Sequence, residues 1–339
     1  MLDRAGLSLT LLLPLFLVVG HGLAEVPLIL LCVLFLGRSA ALGDWEWLRA
    51  TWVRIGLAWW AWLLASSAPG GIGPAVHAAG LVRFLLLAAA LEHWTLRDAG
   101  VRAWLARLLG GAALYFALRS LLQFATGEFA DPQAGPALSR LLFPALLPVV
   151  GRWMGMTGWR PPAGMLLALA ATGTMVATAQ PAPMLLTYLG LFITALLLPR
   201  LRGAVLFSLI VAGLLLGVLP VASPPALNRV TPEFWELMQH LSAVGYWQAA
   251  VHAVTPTVSG VPGFLLLSAL VLAWLQRVGR GLWHGPNPLR VGLFVAVLTE
   301  AWPLGSTGAF GAMPLAGWFF VLLGLGLAEA RAYMTAKSP

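Results

Sequence analysis

Charged residues are scarce in this chain, at 9% of 339 residues, whereas about a quarter of the residues in a soluble domain are charged. Hydrophobic residues make up 60% of the chain, and the mean hydropathy is +0.88. Long apolar runs recur along nearly the whole length, and a bilayer span needs about 20 apolar residues. These features exclude a soluble domain large enough to function alone. They predict one all-α, polytopic membrane domain over residues 1–339.

Cysteine is nearly absent, and so are the common catalytic motifs. The only cysteine, Cys32, lies inside an apolar run, which excludes a disulfide framework and a cysteine-based metal site. The chain has no glycine-rich phosphate loop after a strand, no His-Glu-x-x-His helix, no metal-binding aspartate pair and no Gly-x-Ser-x-Gly turn. We therefore expect any catalysis to need neither a metal ion nor another cofactor.

Lysine is also rare, since Lys337 is the only lysine among 20 basic residues. A net charge of +8 is common in nucleic-acid-binding proteins, but the arginines of this chain lie between apolar runs, which is typical of membrane topology. We predict no nucleic-acid partner and about 12 transmembrane helices, with both termini on one side. The predicted spans are 7–20, 22–37, 55–68, 75–92, 103–124, 141–155, 163–179, 183–199, 203–221, 262–276, 289–303 and 314–330.

The arginine distribution predicts the orientation of these spans. All but four basic residues fall in connections on the side of the two termini, which the positive-inside rule assigns to the cytoplasm. The four exceptions are Arg83, Arg119, Arg140 and Arg229. Because a charge inside a span is costly, we expect Arg83 and Arg119 to face a cavity or a partner, such as Glu92, Glu300 or backbone carbonyls. Arg229 is more typical of an ordinary interfacial charge.

Two connections on the opposite, external face are long enough to carry chemistry. The first, 126–140, contains Glu128 and Asp131, which are either acceptor ligands or turn formers. The second is a periplasmic loop, 222–262, in which residues 231–254 have a helix-start signature and an apolar stripe. They predict an amphipathic helix lying on the outer leaflet.

Tryptophans are concentrated near the predicted membrane interfaces. Indole rings anchor transmembrane helices at the level of the lipid headgroups. We predict this anchoring role for Trp45, Trp47, Trp52, Trp59, Trp60, Trp62 and Trp302.

Several motifs, read in order, resemble one bacterial membrane-enzyme family. They are residues 20–25, 44–49 (DWEWLR), 59–60 (WW), 82–84 (VRF), 122–127 (LQFATG), 139–141 (SRL), 148–151 (PVVG), 197–202 (LLPRLR) and 302–308 (WPLGSTG). Together they cover almost the full length and resemble the O-antigen ligase and O-antigen polymerase family of lipopolysaccharide biosynthesis. The resemblance implies a multi-pass protein of the bacterial inner membrane. It also implies a metal-independent glycosyltransferase that moves a glycan from undecaprenyl diphosphate to lipid A-core or another glycolipid acceptor in the periplasm.

The resemblance, together with the chemistry of the transfer, yields a set of candidate site residues. Arginine binds diphosphate well, so Arg83, Arg119 and Arg140 are candidates for the donor site. Histidine exchanges protons near neutral pH, which makes His252 the candidate catalytic residue. The possible acceptor or supporting residues are Glu128, Asp131 and Glu300. Glu300 is predicted near the outer end of a span, where a buried carboxylate needs a partner.

The chain also departs from the family pattern at two points. His252 is closer to the turn at 260–263 (GVPG) than the pattern requires, by about one helical turn. Residues 179–183 (AQPAP) replace the usual Ser-Gly-Glu-Arg turn. These departures leave open a catalytically degenerate relative that binds a polyprenyl-linked glycan or a membrane partner. A polymerase or a lipid or glycan transporter also remains an alternative, although no internal repeat is visible.

Overall fold

The computed structural model describes residues 2–126, 134–157, 181–198, 202–203, 206, 210, 260–280, 282, 287–301, 313 and 315–336. Every extended regular element in this part of the chain is a helix, and no strand occurs in it. The prediction of an all-α chain is confirmed for these residues. The helices are α1 Leu2–Val19, α2 His21–Leu42, α3 Thr51–Ser67, α4 Ile72–Gly80, α5 Val82–Ala90, α6 Ala99–Thr126, α7 Ala134–Thr157, α8 Pro181–Leu197, α9 Gly260–Gly279, α10 Pro288–Ala301 and α11 Leu315–Thr335.

Seven segments of the described residues are long and apolar enough to cross a membrane. They are Leu2–Val19, Gly22–Leu42, Ile72–Thr95, Ala99–Gln123, Ala134–Arg152, Gly260–Gly279 and Leu315–Thr335. This supports a multi-pass membrane protein, while the count of about 12 spans stays a prediction. The predicted span 163–179 and the predicted interfacial helix 231–254 lie outside the described residues, as does most of the predicted span 203–221.

The chain divides into two compact units, of which the first comprises Met1–Leu108, Ala249–Gly281 and Ser306–Pro339. Its central helix is α11, in which nearly every side chain from Ala316 to Ala330 is buried. A helix that is apolar all round is expected in such a position. The Trp274 ring packs edge-on against Phe320 at 5.7 Å.

Two local features shape the first unit near its arginine-rich helix ends. Gly43 ends α2 in the left-handed region at φ 64°, and its N–H donates to the Ser39 carbonyl. This is a common helix stop, because glycine adopts positive φ without steric cost. Beyond α5 the helix continues as a π-helical turn, Leu91–Thr95. Such turns are rare, and they occur frequently at functional sites.

The second unit comprises Leu109–Gln248 and Leu282–Gly305, and its described core lies between α7, α8 and α10. The approach of α7 and α10 is close because Gly292 has no side chain. A Cβ atom at this position would lie 2.7 Å from the Phe143 carbonyl oxygen. Small residues allow such backbone contact between membrane helices. Pro288 meets Gly151 at one end of this contact, so the two helices run antiparallel.

Candidate functional site

A buried ion pair joins α7 and α10 in the second unit. Arg140 donates from Nη2 to Glu300 Oε1 over 2.6 Å and from Nε to Glu300 Oε2. The two side chains are only 3% and 2% exposed. The planar guanidinium and the carboxylate therefore form the two-bond arrangement that gives such pairs their strength and fixed orientation.

The close contact of α7 and α10 positions this pair. The same helices meet at Gly292 and Phe143, so Glu300, two turns beyond Gly292, arrives beside Arg140. The expected partner for Glu300 is thus present, and it is Arg140. Because an isolated charge is very costly in an apolar bundle, each of these two residues depends on the other to remain buried.

Arg83 also has a carboxylate partner, within the first unit. Its Nη2 lies 3.1 Å from Glu25 Oε1 on α2, and its Nη1 donates to the Gly80 carbonyl over 2.8 Å. The guanidinium lies over the Phe84 ring at 4.7 Å from the centroid. Arg83 is partly exposed, at 23% of its side chain, so it meets the expectation of a partner without being sealed from solvent or lipid.

Of the four remaining predicted site residues, only Arg119 lies in the described part of the chain. The Arg119 Nη1 lies 3.5 Å from the Tyr115 hydroxyl on the same helix, at the limit of hydrogen-bonding distance. His252, Glu128 and Asp131 lie outside the described residues. Arg140 and Glu300 are therefore the two predicted site residues that the described structure brings into contact. Arg83 belongs to the other compact unit.

A second buried carboxylate, Glu92, was not among the predicted site residues. It lies on the π-helical turn and its side chain is fully buried. It accepts hydrogen bonds from Trp52 Nε1 over 2.9 Å and from Arg277 Nη2 over 3.0 Å. His93 follows it in the chain, and the His93 ring lies 2.8 Å from Arg331 Nη1 through Nδ1. A glutamate at the end of an apolar run was the one sequence signal for this cluster.

A cavity of about 540 Å³ lies beside Glu92 in the first unit. Its lining mixes charges of both signs, including Asp44, Arg97 and Arg331. Burial lowers the pKa of the Arg97 guanidinium below its usual value, and the nearby Arg331 and Arg38 cations lower it further. Cations are thus crowded at this end of the unit, as the positive-inside pattern leads one to expect.

Ion pairs stabilise the same end of the first unit. Arg102 at the start of α6 donates to Glu329 on α11 over 2.7 Å and to the Leu96 carbonyl over 3.0 Å. Asp44 lies 3.7 Å from Arg97. In the described part of the chain, no group of three or more histidine, cysteine, aspartate or glutamate side chains has the arrangement needed to hold a metal ion. The ion pairs of Arg102 and Asp44 link helix ends beside the mixed-charge cavity.

Comparison with known proteins adds no identification, because no protein-family model, no curated protein and no solved structure matches the chain.

Proposed function

We propose that this chain is a glycan transferase of the O-antigen ligase type in the bacterial inner membrane. In this proposal it has about 12 spans, both termini in the cytoplasm and the transfer site on the periplasmic side. The donor is a glycan on undecaprenyl diphosphate, and the acceptor is lipid A-core or another glycolipid. The observation that carries the proposal is the buried contact of Arg140 with Glu300.

This contact supports the proposal because it joins two candidate site residues and because burying two charged side chains costs free energy. Both residues were candidates from sequence alone, one for the donor diphosphate and one for a supporting role. An ionisable residue inside a membrane domain is expensive and marks a functional site by default. A pair of well-packed apolar residues would hold α7 to α10 at least as well, so stability alone does not explain the pair.

The proposed chemistry assigns a role to each residue. The acceptor hydroxyl oxygen attacks the anomeric carbon of the donor sugar, and the bond from that carbon to the diphosphate breaks. Arg140 binds the departing diphosphate and stabilises its negative charge, while Glu300 keeps the guanidinium oriented. His252 takes the proton of the acceptor hydroxyl. Arg83 and Arg119 contribute to donor binding, and Glu128 and Asp131 contribute to acceptor binding.

A second candidate function follows from the same pair. Two buried or partly buried arginines, Arg140 and Arg83, already have carboxylate partners. This favours a degenerate relative in which the pairs are structural and the protein binds a polyprenyl-linked glycan or a membrane partner without catalysis. The contracted spacing between His252 and the turn at 260–263 points the same way.

The experiment that separates the two candidates uses the purified chain in proteoliposomes with an undecaprenyl diphosphate-linked glycan and a lipid A-core acceptor. Mass spectrometry measures the transferred product, and a separate assay measures donor binding. We expect transfer by the unaltered chain, loss of transfer in His252→Ala, and near-normal transfer in the matched control His240→Ala. Absence of transfer by the unaltered chain, with donor binding retained, would favour the degenerate relative.

Arginine variants test the donor site. We expect Arg83→Ala and Arg140→Ala to weaken donor binding more than Arg229→Ala does, because Arg229 is the exception most typical of an interfacial charge. The double variant Arg140→Met/Glu300→Leu removes the ion pair and fills its space, so it tests function in a chain that remains folded. Full transfer by this double variant would rule out the proposed role of Arg140. In cells, deletion of the gene is expected to leave lipopolysaccharide without O-antigen on a gel.

A further inference from the structure

A smaller cavity in the first unit has a distinctly basic lining. It measures about 250 Å³ and lies between the start of α3 and the end of α9. Among the described residues, three arginines line it, Arg49, Arg277 and Arg280, and no aspartate or glutamate does. Its remaining lining residues are Ala50, Thr51, Trp52, Ala273 and Gln276. A concave site with this composition attracts an anion.

A neighbouring carboxylate, Glu92, only partly offsets this positive charge. Glu92 lies outside the lining and accepts from Arg277, but the same carboxylate also accepts from Trp52 and lies 3.4 Å from His93. The Nε of Arg277 is buried and has no hydrogen-bond partner among the described residues. Glu92 is thus shared among Arg277, Trp52 and His93, so it neutralises only part of the charge of Arg277.

The helix ends around the cavity add to its preference for an anion. α3 begins at Thr51, and the preceding Ala50 has no side chain that can cap the first-turn N–H groups. These groups and the helix dipole add partial positive charge to that already supplied by the arginines. The opposite partial charge, at the end of α9, is offset by Arg277 in its last turn.

One exposed face of α9 beyond the cavity is apolar. Leu265 and Leu272 on α9 are 60% and 66% exposed. Being seven residues apart, they share one face of the helix. This face extends along α9 away from the arginines, in the direction that the acyl chain of a bound lipid would take. Basic pockets at the ends of transmembrane helices are suited to phosphate headgroups of membrane lipids.

We propose that this cavity binds the phosphate of an anionic glycerophospholipid from the arginine-rich leaflet, with an acyl chain along the Leu265 and Leu272 face of α9. Arg49, Arg277 and Arg280 contact the phosphate. This lipid site is separate from the proposed transfer site, since the positive-inside rule assigns these arginines to the cytoplasmic side. The two proposals therefore stand or fall independently.

Native mass spectrometry of the full chain in detergent tests the lipid site, by titration with phosphatidylglycerol and, separately, with phosphatidylcholine. We expect tighter binding of phosphatidylglycerol. Arg49→Gln/Arg280→Gln is expected to weaken that binding about 25-fold, because each arginine near an anionic headgroup contributes about fivefold. The matched control, Arg54→Gln/Arg107→Gln, removes the same charge from exposed positions that do not line the cavity. It is expected to change the affinity less than about threefold.

Further arms of the experiment identify the source of the phosphate. Inorganic phosphate and glycerol phosphate, added as competitors, should displace the lipid poorly because they lack acyl chains. Efficient displacement at concentrations similar to that of the lipid would overturn the proposal in favour of a soluble anion. The proposal would also be overturned if the two phospholipids bound equally well. The same holds if the control variant lost as much affinity for phosphatidylglycerol as the cavity variant. Should the double variant fail to fold, Arg49→Gln alone provides the test, because Arg49 is exposed.

Discussion

The indole N–H of Trp52 on α3 donates to Glu92 Oε2 over 2.9 Å, and both side chains are buried inside the first unit. The sequence predicted interfacial anchors at Trp47, Trp52 and Trp59, and that expectation is wrong, because these residues are only 5%, 3% and 8% exposed. The Trp52 ring instead supplies one of the donors that allow a carboxylate to remain buried. Trp45 and Trp62, by contrast, are exposed, as an anchor requires.

Replacing Trp52 with phenylalanine keeps most of the ring but removes the N–H donor. Glu92 then loses a hydrogen bond in a fully buried position, so we expect the free energy of unfolding to fall by about 1–3 kcal/mol. Thermal unfolding in detergent measures the change. Trp104→Phe is the control, since Trp104 is 56% exposed. Equal effects of the two substitutions would contradict a special role for the Trp52 donor.

A double-mutant cycle at Arg140 and Glu300 is expected to show strong coupling. Glu300→Leu alone leaves a buried guanidinium without its carboxylate and should cost about 3–5 kcal/mol, as should Arg140→Met. The double variant should recover much of that loss, because no buried charge is then left uncompensated. Reversible unfolding in mixed detergent micelles gives the three free energies. Additive losses would mean that the two residues do not stabilise each other.

Adding a methyl group at Gly292 should separate α7 from α10. The new Cβ would lie 2.7 Å from the Phe143 carbonyl oxygen, so the backbones must move apart, at a cost of about 1–3 kcal/mol. The control is Gly110→Ala on α6, where a Cβ meets nothing within 4 Å. This control should be neutral or slightly stabilising, because alanine favours the helix. A neutral Gly292→Ala in the same unfolding assay would refute the close contact.

The predicted topology can be tested by cysteine labelling in intact cells. Cys32, the single native cysteine, is only 5% exposed, so we expect it to add little to the maleimide labelling of an introduced cysteine. Cysteines at Ala68, which follows Ser67 and is exposed, and at Gln180 and Ala226 should react with an impermeant maleimide applied from outside. Those at Ala99, near Arg102, and at Arg280 are exposed and should react only after permeabilisation. Reaction of the Arg280 position from outside would invert the orientation derived from the arginines.

The sequence by itself indicated that lipid surrounds much of this chain and that the chain is helical. Sparse charge and long continuous apolar runs are typical of transmembrane helices, which satisfy every backbone group within one segment, and that information is local. It also identified Arg140 as a candidate ligand of the donor diphosphate and Glu300 as a carboxylate in need of a partner, because a charged side chain is costly at the depth predicted for Glu300.

Only the tertiary structure decided which partner each charge has. Arg140 and Glu300 are 160 positions apart, and their contact depends on how closely α7 meets α10 at Gly292. Trp52, Glu92 and Arg277 come from three separate segments, and sequence spacing carries no information on which helix faces meet. Side-chain pairing across helices is set by packing, in which one missing Cβ or one π-helical turn changes every contact beyond it.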